Sequence, residues 1–163
     1  RPEPVRHRYP LPLHHSWPLF ERAGHFDLGW VDRTSVRLPD RDARSRIAED
    51  ADTLARLGAG LWHCDLADNR LSWTDAIYDL FDLPRGSDVA RAEAVAHYCE
   101  GSRAAMERLR AHGIAHRRGF TLDVEIGPAR ARTRWIRLIA APVCDGDRVV
   151  ALHGIKLPLP DRA

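Results

Sequence analysis

The chain has no apolar run approaching the roughly 20 residues that a membrane-spanning helix needs, so none of its 163 residues is expected to cross a bilayer. Cysteine is scarce. Cys64, Cys99 and Cys144 are widely spaced and form no CxxC pair, which argues against a disulfide framework or a cysteine-rich metal site. With no secretory pattern at its start, the expected setting is reducing and cytoplasmic. Neither sign of charge dominates: a formal net charge of +2 gives no surface-wide attraction to membranes, and no nucleic-acid partner is expected. Lysine is nearly absent. Of 25 basic residues only Lys156 is a lysine, an imbalance that reads as genomic base composition rather than arginine chemistry. What is present, 44% hydrophobic and 29% charged residues, suits one globular domain with a proper core and an extension.

The extension comes first. Residues 1–40 hold five prolines within the first 18 positions and four of the nine histidines by residue 25. The prolines predict an irregular arm without regular pairing. Tyr9, Trp17, Phe20, Phe26 and Trp30 make it too apolar for a free linker, so it should pack on its own domain or on a partner. An amphipathic helix is predicted over 41–58, capped by Asp40 and stopped by Gly58. Its narrow apolar face includes Ile47, Leu54 and Leu57. Two short strands follow, Leu61–Leu66 and Leu71–Trp73, then helices over Asp75–Leu83, 89–99 and Ser102–His112, with Gly113 as a stop. Three strands close the pattern: Gly119–Ile126, Thr133–Pro142 and Asp147–Gly154, the last two turning at Asp145-Gly146.

The run Gly60-Leu-Trp-His-Cys-Asp-Leu-Ala-Asp-Asn-Arg-Leu-Ser-Trp-Thr-Asp-Ala-Ile-Tyr78 resembles the opening of the bacterial PAS subfamily common in sensor kinases and cyclic-dinucleotide enzymes. Gly119-Phe120, Arg134-Trp135, Pro142 and Leu152-His-Gly154 match its later landmarks. The resemblance covers about residues 59–157 and implies an α+β fold: a five-stranded antiparallel sheet with helices inserted between strands 2 and 3. Residues 158–163 are left as a proline-containing tail. The family's closing D-I-T motif is missing, and Pro158 and Pro160 should end both the sheet ladder and the usual C-terminal route for a signal.

In the PAS fold the sheet's concave face and the helices enclose either a packed core or a ligand cavity. Strand alternation puts Trp62, Cys64, Leu122, Val124, Ile136, Leu138, Ala140, Leu152 and Lys156 on that face. An ammonium cannot be buried unpaired without severe cost. Lys156 is therefore expected to escape to water at the strand end, or else to meet a carboxylate, such as that of an acidic ligand. The convex face carries Ile139, Ala141, Val149, Ala151 and Ile155 and needs cover, from the helix 41–57 in the same chain, from a two-fold dimer, or from a protein partner.

No haem, flavin or metal is expected. His97, His112 and His116 are the helix histidines that a haem reading would use. Cys99 lacks the neighbours that flavin photochemistry requires, and His7, His14, His15 and His25 show no ligand spacing. Ser72, Ser87 and Ser102 lack a nucleophile setting, and Asp123 and Glu125 alternate outward, so no enzyme is expected. The leading expectation is a regulatory module that docks or dimerises through its outer face. The alternative is a small-molecule sensor, and a small α+β enzyme comes third.

Overall fold

The structure, a computed structural model, describes residues 14–26, 51–127 and 132–160. One antiparallel sheet organises them. Its strands are β1 (His14–Pro18), β2 (Gly60–Asp65), β3 (Arg70–Trp73), β4 (Arg118–Ile126), β5 (Arg134–Asp145) and β6 (Arg148–Pro158), in the spatial order β1-β4-β5-β6-β2-β3. The helices are α1 (Arg22–His25), which follows a 3-10 turn at Leu19–Glu21, α2 (Ala51–Leu57), α3 (Asp75–Leu80), α4 (Arg91–Ala96) and α5 (Glu100–His116). The last three lie in the β3–β4 connection. The helix predicted from residue 41 is described only from Ala51, so Asp40 and Ile47 lie outside the described residues, as does most of the arm.

Two local features set where elements begin and turn. Thr74 precedes α3 in extended conformation and its hydroxyl accepts from the Leu61 N–H at 2.9 Å, tying helix start to strand start. The β5–β6 hairpin closes through Gly146-Asp147, one residue later than the Asp145-Gly146 turn expected because Asp145 still pairs with Arg148, and Gly146 stands at φ 60, the left-handed region that glycine enters freely.

Four expectations need correction. The sheet has six strands, because His14–Pro18 of the supposedly irregular arm pairs with β4, placing Trp17 opposite Gly119. Proline is tolerated there because β1 is an edge strand with one neighbour. Gly119 is what admits the arm: a Cβ there would lie 2.2 Å from the Trp17 ring. The long helix does not stop at Gly113 but runs to His116 and ends on Arg117 at φ 53. Pro158 does not end the sheet either, since it still pairs with Ile136. The N–H of Leu159 donates across to Trp135 at 2.9 Å, so the missing N–H of Pro158 points the other way, past the end of β2 at Gly60. Finally, the register jumps from Val143↔Ala151 to Cys144↔Val149. Val150 is the extra residue of a bulge, and Val149 packs on the inner core rather than the outer face.

The sheet is buried on both faces. Inside, Ile77, Leu80, Phe81, Tyr98 and Met106 from the helical segment close on Trp62, Phe120, Leu122, Val124, Ile136, Leu138, Ala140 and Leu152. Outside, Trp17 and Phe26 of the arm and Leu54 and Leu57 of α2 cover Ile139, Ala141, Ile155 and Leu157. Trp17 is fully buried, and its indole N–H donates to Thr121 Oγ1 at 3.0 Å. Phe26 stacks on His153 at 5.6 Å, whose Nε2 lies 2.9 Å from Arg22 Nη2. Ala151 is buried but joins neither cluster. The cover needed by the convex face thus comes from the same chain.

Candidate functional site

Lys156 does not escape. Leu157 and Pro158 continue β6 past it, with Leu157 fully buried, so residue 156 is not at a strand end and remains only 6% exposed. Its position follows from the ladder: it pairs with Gly60 of β2 on one side and Leu138 of β5 on the other. A Cβ at Gly60 would lie 2.6 Å from Ile77, so the glycine lets α3 close on β2, and Lys156 faces the aromatic wall built by β2, β3 and the helical segment.

That wall is a cage. Lys156 Nζ lies 5.4 Å from the ring centroid of Trp62, 5.5 Å from Trp73, 5.1 Å from Phe81 and 5.8 Å from Tyr98. All four fall within cation–π range. Trp62 and Trp73 are cross-strand partners, Phe81 caps α3 and stacks on Trp73 at 5.2 Å, and Tyr98 follows α4 and bridges to Ile126.

The cage holds a cation but offers it no acceptor. Among the described residues no carboxylate pairs with Lys156. Burial holds the Tyr98 phenol well above its ordinary value, so it stays neutral and supplies no counter-charge. A cation–π contact is worth about 0.5–2 kcal/mol, against a desolvation penalty of several kcal/mol for a buried ion. Burial first, helped by the repulsion of Arg91 and opposed by the attraction of Cys64, brings the Lys156 ammonium down to about 7. The indole N–H groups of Trp62 and Trp73 are also buried without a partner, which is unusual for buried donors.

Lys156, Trp62 and Tyr98 also line a cavity of about 50 Å³ together with Cys64, Leu138 and Leu152. Five of the nine residues expected to face a pocket therefore line it. Leu122, Val124, Ile136 and Ala140 belong to the packed core instead. The cavity's remaining charged residues are Arg91 and Arg110; no carboxylate lines it. Both arginines are engaged, Arg91 with Glu107 and Arg110 with Asn69 Oδ1 at 3.2 Å. Lys156 alone lacks a partner. Strand alternation found Lys156 and Trp62. It missed Trp73, Phe81 and Tyr98, whose convergence depends on how the β3–β4 connection folds back. Their aromatic character at strand and helix ends was the available signal.

The other candidates fall elsewhere. Asp123 is held by Arg137 at 2.8 and 3.1 Å on the outer side of the sheet. His112 and His116 are exposed on α5, their ring centroids 4.5 Å apart. Cys99 precedes α5, outside the cavity lining. Small-molecule sites usually span about 300–1,000 Å³; a cavity of about 50 Å³ has no room for a flavin or a haem. No helix among the described residues is long and apolar enough to cross a membrane.

No family model and no curated protein sequence matches the chain. Solved structures do. An RNA-binding light-oxygen-voltage receptor superposes with a TM-score of 0.57 at 21% identity, over 64% of this chain and 30% of its own. The N-terminal domain of a diguanylate cyclase with a PAS/PAC sensor from Marinobacter aquaeolei gives 0.56 at 17% identity, over 61% of this chain and 94% of its own. A light-oxygen-voltage domain studied with a flavin analogue gives 0.53 at 17% identity, over 68% and 84%. The chain thus spans under a third of the receptor but nearly all of the cyclase's sensor domain. At these identities the likeness speaks to architecture, and the architecture is that of the PAS fold.

Proposed function

We propose that this chain is a non-catalytic sensory module of a signalling protein and that its input is a small acidic ligand, a carboxylate seated against Lys156 in the inner cavity. The observation that carries this reading is the caged lysine: a buried cation with no anion, in a cavity lined by three cations and no carboxylate. A carboxylate would accept from Lys156 and could reach the unpartnered indole N–H of Trp62, forming charge-assisted hydrogen bonds of the stronger kind. The cavity's size favours an acid of a few heavy atoms, since about 10–15 Å³ holds one water-sized group. The signalling context is supported by the fold shared with the sensor domain of a diguanylate cyclase.

The test is a thermal-shift titration of the whole chain with acetate and pyruvate, using acetamide as the uncharged control, alongside mass spectrometry of a denatured extract. An acid should raise Tm where acetamide does not, and Lys156→Met should abolish the rise while remaining folded. Equal effects of acid and amide, or no effect of either, would overturn the carboxylate reading.

A second reading concerns output. The outer face is capped by β1, α1 and α2 of the same chain, and such a cap can be exchanged across a two-fold dimer or displaced by a protein partner. Docking through Leu54, Leu57, Ile139 and Ile155 would then require the cap to lift.

A further inference from the structure

The arm carries four of the chain's nine histidines, and the fold brings two of them together with an acid. His15 stands on β1, Glu21 closes the 3-10 turn and His25 ends α1. One ligand atom from each lies within 4.8 Å of the other two. Glu21 and His25 alone need no special account: they are an i,i+4 pair with Nε2 and Oε2 3.1 Å apart. His15 is different. It arrives from a strand rather than from the same helical turn, its ring centroid is 5.4 Å from that of His25, and its ring makes no hydrogen bond among the described residues.

Two imidazoles and a carboxylate form a zinc donor set that leaves one coordination position open. Bonds of about 2.0–2.1 Å in a tetrahedron place ligand atoms roughly 3.3 Å apart. The His25–Glu21 edge already has that length, and the exposed His15 needs only a small side-chain adjustment to complete it. The His25 ring is held in place from behind, stacked on Trp17 at 4.3 Å and 4°.

We propose that His15, Glu21 and His25 bind one zinc ion, with water in the fourth position, and that the metal clips β1 to α1. So clipped, Trp17 and Phe26 are held over the outer face, and zinc strengthens the cap. This site is independent of the acid-binding cavity on the other side of the sheet.

The full chain, stripped of metal with a chelator, should be titrated with zinc by calorimetry and by thermal denaturation. One equivalent should bind and raise Tm. His15→Ala, an exposed change, should leave the metal-free Tm unaltered, weaken zinc binding by about tenfold or more and remove the zinc-dependent rise. His14→Ala, on the opposite side of β1, should keep both. Absence of binding, or binding that His15→Ala leaves unchanged, would overturn the site.

Discussion

At the scale of single residues, identity matters most at Lys156. An arginine there could not shed its proton, whereas a lysine can, and burial does lower its value to about 7 from an ordinary 10.5. Because the folded-state value is the lower one, the unfolded chain holds the proton more tightly between these two points. Without ligand, stability should therefore rise as pH climbs from about 7 toward 10.5. Thermal or urea unfolding across that interval checks the sign, and Lys156→Met should flatten the rise. At pH 7 or below, Lys156→Met should be neutral or stabilising by up to a few kcal/mol, since an apolar side chain of similar length replaces a buried cation. Lys156→Arg should destabilise at every pH. Acid binding runs the opposite way: because it favours the ammonium, affinity should fall above pH 7 by up to about tenfold per pH unit.

At the scale of elements, the outer face is settled by the arm. Trp17→Ala removes the side chain that fills the space over Gly119 and should cost about 3–5 kcal/mol. If the cap detaches instead of the core melting, dye binding and light scattering should reveal the uncovered Ile139 and Ile155 while far-ultraviolet dichroism changes little. Ile139→Asp places an unpaired charge at a position only 2% exposed and should cost several kcal/mol. Asp68→Ala loses one exposed turn hydrogen bond to the Arg70 N–H and should cost no more than about 1.5 kcal/mol. Similar losses for the two would mean that the face assignment is wrong. The strands and inserted helices were legible because period-two alternation, helical spacing and the glycine turn at Gly146 all act locally. The arm was not, because five prolines predict irregular chain while the pairing of His14–Pro18 depends on Gly119, a hundred residues away. The bulge at Val150 was equally hidden, since no residue type at that position demands it, and it turned Val149 to the other face.

At the scale of the whole molecule, one sheet serves two compartments. Its inner side holds a small cationic cavity, and its outer side is closed by elements that precede β2 in the chain. A ligand pulling on Lys156 acts on β6, whose next outward residues, Ile155 and Leu157, touch the cap. The proposed input site and the cap therefore share one strand. The sequence pattern showed the two faces and the single lysine, but it sent that lysine to water, because Pro158 looked like the end of the ladder. Since Lys156 is the chain's one lysine, its charge state can be followed without assignment. The deciding measurement is an NMR pH titration of the intact chain labelled with carbon-13 lysine, with and without acetate. The ligand-free midpoint is expected near 7, moving upward when acetate binds. A midpoint near 10.5 that acetate does not move would contradict a buried, unpaired ammonium and the acid-binding cavity built on it.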